Sequence, residues 1–173
     1  MVEENAVVTA VRQHFPEAVL STDEFRGQTT IVLRKSDLVQ VCQFLRDDPQ
    51  LRFDTLLDVT AVDWLPDEPR FEVVYHLRSL PHRSFLRLKV QVEGNHPEVP
   101  TLTSVWPTAN WHERETYDMF GILFEGHPNL SRILTPDGWE GHPLRKDHPL
   151  GDEEVAFTHN AEEIFGRKPH PKE

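Results

Sequence analysis

Two stretches of period-two alternation constrain the fold more than any other feature of the chain. In "FEVVYHLRS" (71–79) Phe71, Val73, Tyr75 and Leu77 take alternate positions, and in "FLRLKVQV" (85–92) Leu86, Leu88, Val90 and Val92 alternate with Arg87, Lys89 and Gln91. Successive strand side chains point to opposite faces, so both stretches predict strands with one buried and one open face. Such a sheet needs helices on one side only.

The flanking segments supply the rest of that layer. "NAVVTAVRQHF" (5–15) places Val7, Val8, Val11 and Phe15 on one helical face before Pro16 stops the helix. "AVLSTDEF" and "TTIVLR" surround Arg26-Gly27-Gln28, which predicts a hairpin. A second helix is expected over 37–47, with Ser36 accepting from its first amides and Asp37 at its positive end. Leu38, Val41, Cys42 and Leu45 recur there at helical spacing, so Cys42 is expected as a small buried hydrophobe. "FDTLLDVTAVDW" supplies another strand. The expected class is α+β: an antiparallel or mixed sheet of about five strands with helices packed on one side.

From about residue 96 the texture changes. The chain from there to its end holds nine of the 14 prolines, six of the eight glycines and seven of the ten histidines. One helix is expected in "NWHERETYDMFG", with Asn110 as N-cap, Glu113 completing a capping box, Arg114 and Asp118 as an exposed pair, and Gly121 as C-terminal cap. The chain then divides into an α+β domain over 1–121 and an extended C-terminal segment over 122–173. A turning tail of that length buries little of itself, which implies that it lies on another protein.

That segment contains EGHP twice, at 125–128 and 140–143. Glycine permits an unusual φ, and proline fixes its own φ and restricts the residue before it, so each copy predicts a rigid bend. Metal binding is the other reading of the repeated histidines. His112, His127, His142 and His148, with Asp118, Asp137 and Asp147 nearby, are the available donors. Those histidines stand too far apart in the chain to form the close ligand pairs of zinc sites. Ser131 and Thr135 sit in no nucleophile elbow, and no glycine-rich nucleotide cradle is present. No cofactor, catalytic or metal site is therefore expected in this chain.

Charge narrows the partners. With 29 acidic against 18 basic residues the net charge is −11, so the molecule repels phosphate backbones and nucleic acid is not an expected partner. No apolar run approaches the roughly 18 residues of a membrane span, and the acidic start MVEENAVV is unlike a basic signal peptide. A single cysteine excludes an intramolecular disulfide and an iron-sulfur cluster ligated by this chain's cysteines alone.

Taken whole, "ANWHERETYDMFGILFEGHPNLSRILTPDGWEGHPLRKDHPL" resembles the 30 kDa subunit of respiratory complex I, the C subunit of bacterial NADH-quinone oxidoreductases. The resemblance is carried by ordered blocks at 113–121, 126–134 and 137–147, and more weakly by "DVTAVDW" and "FEVVYHL". One departure is Ser131, where family members commonly carry a basic residue before the arginine, here Arg132.

The resemblance implies a scaffold subunit without its own redox centre, in the peripheral arm near the quinone module, whose C-terminal segment wraps the 49 kDa (D) subunit. FMN and iron-sulfur clusters would then lie in partner subunits, and the complex at the cytoplasmic face of the bacterial plasma membrane. The implied interface residues are Glu113, Arg114, Glu115, Asp118, Gly126, His127, Pro128, Arg132, Gly141, His142, Pro143, Arg145, Lys146 and Asp147. Two alternatives stand beside it. One is the equivalent subunit of a membrane-bound hydrogenase or ferredoxin-driven quinone reductase. The other is a metal-dependent enzyme built on the His/Asp cluster.

Overall fold

A computed structural model describes residues 6–136, 138–149, 159 and 161–167. Helix α1 (Ala6–His14) leads into the hairpin β1 (Val19–Phe25) and β2 (Gln28–Leu33), followed by α2 (Leu38–Asp47), β3 (Thr55–Asp63), β4 (Phe71–Ser79) and β5 (Ser84–Val92). The five strands form one sheet in the order β1-β2-β5-β4-β3. Only β2 and β5 run parallel, which makes the sheet mixed.

The alternation read from the sequence sets the two faces. Ile31, Leu33, Val59, Val73, Tyr75, Leu88 and Val90 join Val8 and Val11 of α1 and Leu38, Val41, Cys42 and Leu45 of α2 in one core. Each such side chain contributes about 1.5–3 kcal/mol when fully buried. Burial also pushes the Cys42 thiol pKa up, so it stays protonated. The edge strand β1 is almost wholly exposed, and Asp23 and Glu24 place charge along it, which opposes pairing with another strand.

Two details differ from expectation. Ser36 does not cap α2: a 3-10 turn over Lys35–Asp37 precedes the helix, and the Ser36 hydroxyl donates to Asp37 Oδ2 at 3.2 Å. Pairing also continues past residue 96, because β6 (Glu98–Pro100) runs parallel to β7 (Leu123–Glu125). Ile122 and Phe124 thereby enter the core. Between those strands lies α3 (Ala109–Phe120), and α4 (Ala161–Arg167) follows later. Asp137 and, of the expected C-terminal segment, residues 150–158, 160 and 168–173 fall outside the described residues.

Candidate functional site: a C-terminal segment wound on one helix

Helix α3 lies along β3, where the Thr116 hydroxyl donates to Val59 O at 2.9 Å. Its sequence is mostly polar, yet Glu113, Thr116 and Asp118 are buried. Asn110 and Glu113 form no capping box; the N-cap is Thr108, without a side-chain hydrogen bond. Glu113 instead points inward, with Oε1 accepting from Leu102 N–H at 2.7 Å and Oε2 bonded to the Thr101 hydroxyl. Burial raises its pKa to about 7 even though both hydrogen bonds pull the other way. The same carboxyl sits beside the buried Tyr75, whose pKa is raised first by burial and then by Glu113.

Asp118 has the opposite fate. Its carboxylate accepts the backbone N–H groups of Ile133, Leu134 and Thr135 at 3.0, 2.8 and 2.9 Å, together with the Thr135 hydroxyl and Arg132 Nη1. Burial pushes its pKa up, and these donors outweigh burial, holding the carboxyl well below the usual range. The expected Arg114–Asp118 pair does not form. Arg114 lies over the Trp111 ring and donates to Ser131 O at 3.0 Å. Glu115, on the helix surface, is exposed.

The two EGHP copies bend as expected, with Gly126 at φ 81 and Gly141 at φ 82, in the left-handed region that glycine favours. Their histidines grip the helix backbone. His127 Nε2–H donates to Asn110 O at 3.2 Å and Nδ1 accepts from Asn129 N–H at 3.1 Å, which assigns its tautomer. His142 Nδ1–H donates to Asp118 O at 3.0 Å. Both imidazoles have lowered pKa values, burial being the first cause. Arg132 ties the second copy to α3, donating from Nη2 to Gly141 O at 2.9 Å while Nη1 holds Asp118. Pro128 is exposed and Pro143 half-buried beside these bends.

The C-terminal end of α3 receives the other cation. Gly121 adopts φ 71 as C-cap, as expected, and a Cβ there would lie 2.5 Å from the His142 ring. Arg145 Nε donates to Phe120 O, its guanidinium lies 5.3 Å from the Phe71 ring centroid, and Leu144 N–H donates to Met119 O at 3.0 Å. The last turn of α3 has no basic residue of its own, so Arg145 supplies the positive charge that the helix terminus favours.

A second tie, unforeseen in the sequence, closes the winding. Arg70 donates from Nε and Nη2 to the two oxygens of Asp63 at 3.0 and 2.8 Å, and from Nη1 to Asp147 Oδ2 at 2.9 Å. Lys146 N–H donates to Asp63 Oδ2 at 2.9 Å and its Nζ to Leu65 O at 3.1 Å. Burial raises the Asp63 pKa, and the Arg70, Leu65 and Lys146 donors outweigh it, to about 2. Arg70 and Asp147 are 77 residues apart, and no local spacing connects them.

Thus most polar side chains singled out in the sequence come together, but around α3 of their own chain. Among the described residues no three His, Cys, Asp or Glu side chains converge as metal ligands. Large apolar side chains are among those the winding leaves outward: Leu134 is 59% exposed, Leu144 55% and Trp139 37%, beside the exposed Glu140, Lys146 and Asp147. No helix among the described residues is long and apolar enough to cross a membrane.

Comparison with known proteins gives the family. The family model for the respiratory-chain NADH dehydrogenase 30 kDa subunit matches residues 31–154. The C subunit of the NADH-quinone oxidoreductase of Roseiflexus sp. (strain RS-1) is 56% identical over 167 residues, 96% of each chain. Its counterpart in Herpetosiphon aurantiacus is 45% identical over 173 residues, the full length of both. Among solved structures, the trypsin-resistant fragment (1-134) of Nqo5 matches with TM-score 0.61 and 31% identity over 72% of this chain and 98% of that one. A chain of the membrane-bound sulfane sulfur reductase, an archaeal respiratory membrane complex, matches with TM-score 0.72 and 25% identity over 83% and 84%. The chain belongs to the 30 kDa subunit family of respiratory-chain NADH dehydrogenases, whose bacterial members are the C subunits of NADH-quinone oxidoreductase.

Proposed function

We propose that this chain is a non-catalytic scaffold in the peripheral arm of a proton-pumping NADH:quinone oxidoreductase, docking on the D subunit near the quinone module. The observation that carries this reading is the division of labour in the wound segment. Arg132 and Arg145 grip α3, Lys146 and Asp147 tie the segment to Asp63 and Arg70, and Leu134, Trp139 and Leu144 are left on the outside. Large apolar side chains held on a rigid support suit the centre of a protein interface. In this reading residues 1–121 are the platform and 122–173 the segment that meets the partner. Glu113, Asp118, His127, Arg132, His142, Arg145, Lys146 and Asp147 serve the interface by fixing the segment's path. Arg114, Glu115, Gly126, Pro128, Gly141 and Pro143 line its surface or its bends.

NADH oxidation then uses FMN and iron-sulfur clusters held by other subunits, and this chain binds no cofactor. It is peripheral, on the cytoplasmic face of the plasma membrane, held there by its partners. The test is affinity purification of the tagged chain from native membranes, with mass spectrometry of what co-purifies. Recovery of a D-type subunit with flavin and iron-sulfur subunits is expected. Leu144→Asp, at an exposed position, abolishes that recovery while the isolated variant unfolds at the wild-type temperature. Retained recovery with Leu144→Asp and Trp139→Asp together refutes this use of the segment.

A further inference from the structure

The open face of the sheet carries a second feature that the winding of the tail does not use. Thr30, Arg87, His76 and Asp58 are successive register partners across β2, β5, β4 and β3, so they form one transverse row. Arg87 Nε donates to His76 Nε2 at 3.1 Å, Nη1 to the Thr30 hydroxyl at 3.4 Å and Nη2 to Gln28 Oε1 at 2.9 Å. Asp58 lies 3.7 Å from His76 Nδ1 and 3.6 Å from His112 Nδ1 of α3. Beside this row is a cavity of about 280 Å³ lined by Gln28, Leu57, Asp58, His76, Phe85 and Arg87.

We propose that this cavity is a second protein-docking site, which takes a large apolar side chain carried next to a carboxylate on another subunit of the assembly. Two of its lining residues are large, apolar and uncovered: Phe85 is 55% and Leu57 40% exposed. Contiguous exposed side chains of this size mark an interaction surface. The carboxylate follows from charge. On a chain of net charge −11, the fully charged lining residues are Arg87 and Asp58, and Arg78 adds a second cation behind the lining residue Phe85. Lys89 and Glu72, further along the open face, pair with each other at 2.7 Å.

Donors are also left over. Three of the five N–H groups of the Arg87 guanidinium are engaged among the described residues. Arg78 stacks 5.1 Å from the Phe85 ring centroid, and its Nε is buried without an acceptor. Buried donors in native proteins are nearly always satisfied, so an acceptor brought by a partner completes the site.

The site is separate from the tie at Asp63. Asp58 and Asp63 are five residues apart on one strand, roughly 17 Å at strand rise, and Asp63 is where the tail is tied.

The inference rests on the scaffold reading, and the test keeps the two apart. Phe85→p-benzoylphenylalanine in the tagged full-length chain is photolysed in the intact complex, and the cross-linked peptides are sequenced. The expected product is a peptide of another subunit with Asp or Glu within two residues of a large apolar residue. Phe85→Asp and Arg87→Glu each lower the yield of co-purifying complex about tenfold, with the Phe85→Asp chain melting as wild type does. Cross-links to lipid, to this same chain or to nothing overturn the site, provided the unaltered chain still recovers its partners. An unaltered chain that recovers no partner removes the scaffold reading and the site together.

Discussion

Glu113→Gln is expected to stabilise the isolated chain above neutral pH. The side chain is fully buried, and its pKa is raised from an ordinary 4.5 to about 7. A carboxyl whose folded pKa exceeds its unfolded one contributes stability that is complete below pH 4.5 and disappears as pH rises through about 7. The displacement corresponds to roughly 3 kcal/mol, at about 1.4 kcal/mol per unit. Glutamine keeps the geometry of the neutral acid: its carbonyl accepts from Leu102 N–H and its amide donates to the Thr101 hydroxyl. The variant therefore matches wild type near pH 4.5 and exceeds it by up to about 3 kcal/mol at pH 8. Urea unfolding at pH 5, 6, 7 and 8 measures both slopes. His127 Nε2, 3.9 Å from Glu113 Oε2, could share charge with the carboxylate, and its lowered pKa argues against that. A variant less stable than wild type at pH 8 would show that the carboxylate is favourably paired and refute the reasoning.

Other expectations test the winding itself. Arg70→Met leaves the buried Asp63 carboxylate without its counter-charge and costs about 3–5 kcal/mol; trypsin should then cut faster after Arg145 or Lys146 of the full chain. Gly121→Ala places a Cβ against His142 in left-handed backbone, and should lose at least about 1–2 kcal/mol in urea unfolding with displacement of the His142 resonances in NMR. At the acid end, Asp63, lowered from 3.8 to about 2, and Asp118, also depressed, contribute stability present above 3.8 and lost as pH falls through their folded values. Asp118→Asn should flatten that acid limb in a urea-midpoint series from pH 5 to 2 and lower stability near pH 7 by about 2–3 kcal/mol.

The sheet was legible because its signal is local. Leu86, Leu88, Val90 and Val92 declare their face within one strand, as do Leu38, Val41, Cys42 and Leu45 within one helix. The pairing of β2 with β5 was not, since these parallel neighbours are separated by α2, β3 and β4 and share no turn. In the site, the bends at Gly126 and Gly141 and the cap at Gly121 could be read, because backbone conformation belongs to the residue that adopts it. The partners of the charges could not. Glu113 at helical spacing looks like a capping residue, and only the arrival of Leu102 makes it a buried acid. Arg114 and Asp118 look like an i,i+4 pair, worth a few tenths of a kcal/mol, and Asp118 exchanges that for amides 15 to 17 residues away.

That exchange depends on a formed helix. Asp118, His142 and Arg145 act on helix α3 only once its last carbonyls stand free at the C-terminus and its Asp118 side chain projects from a formed turn. In an unfolded chain the same carbonyls point in many directions, and loop closure over some 25 residues has no fixed target. The tail's bonds to α3 therefore depend on the helix being formed. The platform in turn gains charge compensation at a helix end that its own sequence leaves bare. Once wound, the tail presents Leu134, Trp139 and Leu144 with little freedom left to lose, so less conformational entropy opposes their burial in an interface. A flexible segment of equal composition would bind more weakly for that reason alone. In the proposed scaffold role, the intramolecular grip of Arg132, Arg145 and Lys146 is thus part of how the segment would meet a partner, although those side chains point toward its own helix and sheet.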